Sequence, residues 1–183
     1  MKIRALFFLL SSLVAVSSAP TFAQPLPDSH SVKQQLNGYL WNAARDGNIA
    51  VINDFISTGY NMNVQDSHGY TAVILAAYHG HQDIVMRLIH AGADPCLRDN
   101  RGNTALMGAI FKGEVSIARK LIAAKCSPDI QNKAGQTAAM YASLFQQHEL
   151  LAKLEASGAD MTITDTHGNS VATLSTGEIN TGK

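Results

Sequence analysis

Residues 66–94 read DSHGYTAVILAAYHGHQDIVMRLIHAGAD, and the spacing inside that stretch decides the fold. Asp66 stands three positions before Gly69, Thr71 follows two positions after it, and Ala72 opens a run of small and apolar residues. A short carboxylate can bond backbone amides in a turn, glycine can adopt positive φ, and a threonine hydroxyl can cap a helix. The segment therefore predicts a turn that feeds a helix start. Ala76-Ala77, Gly80, Ile84-Val85, Leu88-Ile89 and Gly92-Ala93-Asp94 follow at a spacing that fits two short helices and a closing loop.

The same frame recurs. Gly69, Gly102, Gly135 and Gly168 are 33 residues apart, each three positions after Asp66, Asp99, Asn132 or Asp165 and two before Thr71, Thr104, Thr137 or Ser170. Ala109, Gly113, Ile117-Ala118 and Leu121-Ile122 complete the second unit, and Ala142, Leu150-Leu151, Leu154 and Gly158-Ala159-Asp160 the third. Working backwards, Ala43-Ala44, Gly47, Val51-Ile52, Phe55-Ile56 and Gly59 form an opening unit that lacks its front turn, while residues 166–175 supply a closing half. Terminal units of this kind are end caps of a stacked array.

The chain thereby resembles the ankyrin repeat family, whose pattern Asp-x-x-Gly-x-Thr-Pro-Leu-His, Ala-Ala, Gly-His, Ile-Val, Leu-Leu, Gly-Ala-Asp is matched closely from Asp66 to Asp94. The resemblance implies an all-α solenoid of paired antiparallel helices joined by β-turn or hairpin loops, about four and a half repeats long. The expected units are a capping repeat over 32–65, full repeats over 66–98, 99–131 and 132–164, and a half repeat over 165–175. Residues 24–31 and 176–183 are expected to be mobile tails. Departures from the family pattern are Ala72, Ala105 and Ala138 at the Pro position and Ile74, Met107 and Met140 at the His position, so the family's Thr-to-His hydrogen bonds are absent. Gln146 stands where an inter-helix Gly belongs and Lys125 where a loop Gly belongs, so irregular turns are expected at both.

Upstream of the repeats, Lys2 and Arg4 precede an apolar run from Ala5 to Val16, and Thr21 and Ala23 supply small residues at the positions a signal peptidase reads. A signal peptide over residues 1–23 is expected, with the mature chain beginning at Gln24. The run falls short of the roughly 20 apolar residues of a spanning helix, so no membrane anchor is expected. Export to the periplasm is the reading that follows. The 183 residues carry 14 Lys+Arg against 14 Asp+Glu, and no clustered basic surface points to nucleic acid.

No catalytic constellation is visible: Thr71, Thr104 and Thr137 have capping roles, and no Gly-x-Ser-x-Gly turn exposes a nucleophile. The chain is read as a non-enzyme that needs no cofactor. His68, His79 and His81, with His90 in the same repeat, lack the pattern of a closed metal site, and His81 stands where the family's imidazole bonds a neighbouring loop. A small-ligand or metal carrier built on His68, His79 and His81 is the alternative. Cys96 and Cys126 are 30 residues apart, and equivalent positions of adjacent repeats lie about 10 Å from each other, beyond the reach of a disulfide. Unless the loops bend suitably, the two are unbridged and Cys126 is a small packed residue.

Ankyrin domains bind proteins along a concave surface made of turn tips and the open side of the inner helices. By that resemblance, the binding positions here are His68, Tyr70, Tyr78 and His79 in the first full repeat and Arg98, Arg101, Asn103, Phe111 and Lys112 in the second. Gln136, Leu144 and Phe145 follow in the third. Ser67, Asn100, Lys133 and His167 lie at neighbouring tip positions. Aromatic and Arg residues are those that dominate binding hot spots. The expected function is that of a protein-protein interaction module, acting as an inhibitor or immunity protein, or as an accessory scaffold. Its partner would be another periplasmic or secreted protein, with a toxic hydrolase and an antioxidant enzyme as the two candidates.

Overall fold

Thr71, Thr104, Thr137 and Ser170 each start a helix, their Oγ atoms accepting from the backbone N–H three residues on at 3.2, 3.3, 3.3 and 3.4 Å. The computed structural model describes residues 28–182 apart from Lys125. Within that range the inner helices are α1 (Ser29–Asp46), α3 (Ala72–Tyr78), α5 (Ala105–Lys112), α7 (Ala138–Leu144) and α9 (Val171–Thr176). The outer helices are α2 (Ile49–Ser57), α4 (Gln82–His90), α6 (Val115–Ile122) and α8 (His148–Ala156). Each inner helix packs on the next inner helix, each outer on the next outer, and each pair on itself, which gives the expected solenoid. Residues 1–27, which include the expected signal peptide, lie outside the described residues, as do Lys125 and Lys183.

The turn Asp and Asn side chains act as the spacing predicts. Asp66, Asp99, Asn132 and Asp165 each use Oδ1 to accept from the backbone N–H groups two and four residues on, at 2.8–2.9 Å. Successive tips are then stitched together, Asn100 N donating to His68 O, Lys133 N to Arg101 O and Thr166 N to Ala134 O at 2.8, 2.8 and 2.9 Å. Gly69 has φ +81°, and a Cβ there would sit 2.6 Å from Asn100 N, so glycine is required both for the turn and for the approach of the next tip.

One continuous core runs the length of the stack, from Leu40 and Ile52 through Ile84, Met107 and Ile117 to Leu150 and Leu174. Met107 and Met140, at the position where the family has His, are buried in it. The opening repeat replaces its missing front turn with a longer helix: α1 has 18 residues against 7 in α3. It is pinned by Trp41 Nε1 donating to Val64 O at 3.1 Å and Tyr60 OH donating to Asn37 Oδ1 at 2.7 Å.

Four expectations need correction. Ser29–Ser31, placed in a mobile tail, are the first turn of α1, capped by the Asp28 carboxylate. At the other end the tail folds back, Asn180 N donating to Asn169 Oδ1 at 2.7 Å and Asn169 Nδ2 donating to Asn180 O at 3.0 Å. Gln146 makes a regular turn: it takes φ 55°, and Gln147 N donates to Ala142 O at 2.8 Å just as Glu114 N donates to Ala109 O. Finally, Cys96 and Cys126 form a disulfide across loops whose Cα atoms are 5.5 Å apart. Cys126 aligns with Ala93, so Cys96 lies three residues further along its own loop and reaches across the gap that separates equivalent positions.

Candidate functional site

The residues that face the concave side occur at three positions of each inner-helix frame. Tyr78 and Phe111 share one register at the C-terminal ends of α3 and α5, and Phe145 follows α7 directly. Small residues at Ala76-Ala77 and Ala109 let the helices approach closely, which carries the larger rings outward into contact with one another. Tyr78 and Phe111 stack with centroids 6.2 Å apart, and Phe111 meets Phe145 edge to face at 5.5 Å. The three are 38%, 50% and 39% exposed, so a contiguous aromatic stripe crosses three repeats at the surface. Such a patch, rimmed by polar groups, is what interaction surfaces present.

A cavity of about 350 Å³ opens beside the stripe. Tyr70, Tyr78, Phe111 and Tyr141 contribute aromatic surface to it, Met107 and Leu75 aliphatic surface, and Gly108 lines it between them. Arg45, His79, Arg101 and Asn103 bring polar groups to the same space. Lys112 Nζ lies 5.1 Å from the Tyr78 ring centroid, a cation-π contact. His68 stacks on Tyr70 at 5.7 Å, which extends the surface toward the tips.

The electrostatics of this surface are cationic. The pKa of His79 lies below the usual 6.5, chiefly because burial penalises its charged form and then because the positive charge of Arg45, His81 and Lys112 outweighs the opposing carboxylate of Asp46. Its imidazole is therefore neutral at neutral pH. Burial raises the Tyr141 pKa, against the hydrogen bond it receives from Asn132. Among the described residues, neither Arg45 nor Arg101 is in an ion pair. The Asp99 carboxylate accepts hydrogen bonds from Arg101 N, Asn103 N and Asn103 Nδ2.

Of the positions expected to bind a partner, Tyr70, Tyr78, His79, Arg101, Asn103 and Phe111 meet at the cavity, and His68, Lys112 and Phe145 join through their ring contacts. Three do not join. Leu144 is half-buried against the core, Arg98 lies on the far side of the tips with Lys133, and the Gln136 amide oxygen accepts from Asn132 Nδ2 at 3.0 Å within the hairpin stack. Asn103 is itself partly committed, its Oδ1 accepting from Asn132 Nδ2 at 2.9 Å. Sequence reasoning missed Arg45, Gly108 and Tyr141. Their signal was present, since Arg45 shares the Tyr78 register and Leu75, Gly108 and Tyr141 share another at 33-residue spacing.

For the histidine alternative, His68 and His81 are each engaged with other groups. His81 Nε2 is 2.9 Å from Arg45 O, bridging to the preceding repeat, and His68 stacks at a turn tip. Among the described residues, no three His, Cys, Asp or Glu side chains converge in a metal-binding arrangement.

Comparison with curated proteins finds no match. A family model for ankyrin repeats, three copies, matches residues 40–132 and 91–165, more than half of the chain. With the repeated turns, caps and helix pairs laid out above, the chain belongs to the ankyrin repeat family and is a protein-protein interaction module.

Proposed function

We propose that this protein is a non-catalytic, exported module that holds another exported protein against its concave face, as an inhibitor or immunity protein or as an accessory scaffold. The observation that carries the reading is the exposed stripe of Tyr78, Phe111 and Phe145, large rings in mutual contact where framework positions of the repeat are small or aliphatic. Desolvating such rings supplies the affinity of a hot spot, and Arg101 and Lys112 beside them orient an acidic partner and speed its encounter. Export is supported by the basic-apolar-small pattern of residues 1–23 and by the Cys96–Cys126 disulfide, a bond that persists in oxidising compartments.

The test is affinity capture of the tagged mature chain from periplasmic extract, beside the double variant Tyr78→Ala/Phe111→Ala after both are shown to be folded by circular dichroism. One protein enriched by the wild type alone supports the reading, and its own activity with and without the module separates inhibition from support. Equal capture by the folded double variant refutes the concave mapping. N-terminal sequencing of the exported protein is expected to start at Gln24, and an intact Met1 would overturn export.

A further inference from the structure

Gly108 has no backbone reason to be glycine. It lies inside α5, its φ is not positive, and a Cβ added there would meet only the Tyr78 ring at 3.7 Å, an ordinary contact. A glycine in a helix interior is the least favourable choice short of proline, so its presence here weakens the helix without easing a turn or a close approach. What it does create is space. The equivalent positions hold Leu75 in α3 and Tyr141 in α7, and the missing side chain between them leaves the floor of the 350 Å³ cavity open.

That volume is at the low end for ligand sites, which run from about 300 to 1,000 Å³, and suits one large side chain rather than a cofactor. Its walls are the rings of Tyr70, Tyr78, Phe111 and Tyr141. Its polar rim is net positive: Arg45 and Arg101 have no ion-pair partner among the described residues and outnumber the one lining carboxylate, Asp99, which accepts from Arg101 N, Asn103 N and Asn103 Nδ2.

We infer that the notch over Gly108 is a socket for one aromatic side chain of an acidic polypeptide segment, whose flanking carboxylates engage Arg45 and Arg101. The inference rests on the concave face being the protein-binding surface. Aromatic walls accept an aromatic ring edge to face or offset, and guanidinium groups bind carboxylates through paired N–H donors. Desolvation of a ring in the notch sets affinity, while the arginines select against basic segments.

The experiment is calorimetric titration of the purified protein with three end-blocked peptides: Asp-Glu-Trp-Glu-Asp, the same peptide with Ala for Trp, and Lys-Arg-Trp-Arg-Lys. The acidic Trp peptide is expected to bind at least about tenfold more tightly than either control. Gly108→Leu, which fills the notch, is expected to weaken that peptide at least about tenfold with the melting temperature unchanged or raised. Gly108→Ala adds only the tolerated Cβ and serves as the variant certain to fit, with a smaller loss. Equal binding of the acidic Trp and acidic Ala peptides would overturn the socket, as would wild-type affinity in folded Gly108→Leu or no binding of any peptide up to about 1 mM. If the socket fails while partner capture is still lost in Tyr78→Ala/Phe111→Ala, the concave face binds protein without it; if both fail, the underlying reading is refuted too.

Discussion

Tyr78 and Phe111, 33 residues apart in the chain, stack with ring planes only 12° from parallel and centroids 6.2 Å apart on the open side of α3 and α5. The pair joins two consecutive repeats at a place where solvent, not the core, is the other neighbour. Truncating both to Ala is expected to cost about 1–2 kcal/mol of stability, one aromatic pair plus part of the covered ring surface, because the two residues are only 38% and 50% exposed. Partner affinity is expected to fall by about 2 kcal/mol or more. Denaturant unfolding and calorimetry on the same samples check the split, and a stability loss as large as the affinity loss would make the stripe structural.

The disulfide ties the loop after α4 to the loop after α6 and closes a sequence separation of 30 residues. Removing it with Cys96→Ser/Cys126→Ser is expected to lower unfolding free energy by about 3–4 kcal/mol, chiefly by freeing the unfolded chain. Reductant is expected to bring the wild type down to the same value and leave the double variant unmoved. A reductant effect on the double variant would show that something other than this bond is being lost.

Gln146 occupies left-handed backbone at φ 55° that costs a residue with a Cβ about 1 kcal/mol. Its amide compensates in part, donating to Ser143 O at 3.2 Å and Ser175 O at 3.3 Å. Both Gln146→Gly and Gln146→Ala lose these hydrogen bonds, but only glycine relieves the backbone, so Gln146→Gly is expected to be more stable than Gln146→Ala by about 1 kcal/mol. Thermal melts of the two variants are expected to place Gln146→Gly above Gln146→Ala, and equal melting temperatures would mean that the left-handed backbone carries no strain.

Gly69 and Gly168 share the same turn geometry with φ +81° and +79°, but only Gly69 has another tip pressed against it. Gly69→Ala would place Cβ 2.6 Å from Asn100 N, while Gly168→Ala meets nothing within 4 Å. Both variants carry the left-handed penalty of about 1–2 kcal/mol, and Gly69→Ala is expected to cost about 1–3 kcal/mol more. Equal losses on chemical denaturation would mean that the tips do not support one another.

Asp165, 8% exposed, holds the closing half repeat through hydrogen bonds from Asn169 and His167. Burial acts to raise its pKa, but those hydrogen bonds outweigh it and leave the pKa below the usual 3.8. A carboxylate whose folded pKa is depressed contributes stability that is present above the unfolded value and is lost as pH falls through the folded one. Amide exchange in α9 is therefore expected to accelerate before that of α5 as pH drops below about 3.8. In Asp165→Asn the acid-specific difference between the two helices is expected to shrink.

Much of this protein is legible in the amino-acid sequence because a repeat states each requirement several times. The Asp-x-x-Gly-x-Thr spacing specifies a turn and a cap by local hydrogen bonding, and local bonds form within a few residues of the chain. The register of Tyr78 and Phe111 likewise places both rings on one face. Contact between repeats is decided otherwise, by how far one unit advances and tilts over the previous one. That stacking brings Cys96 within 5.5 Å of Cys126 between Cα atoms, turns Leu144 toward the core while Phe145 stays out, and sets Gly108 as a gap between Leu75 and Tyr141. Each of these depends on distances between residues about 30 positions apart, which local propensity does not contain and close packing of the repeats determines.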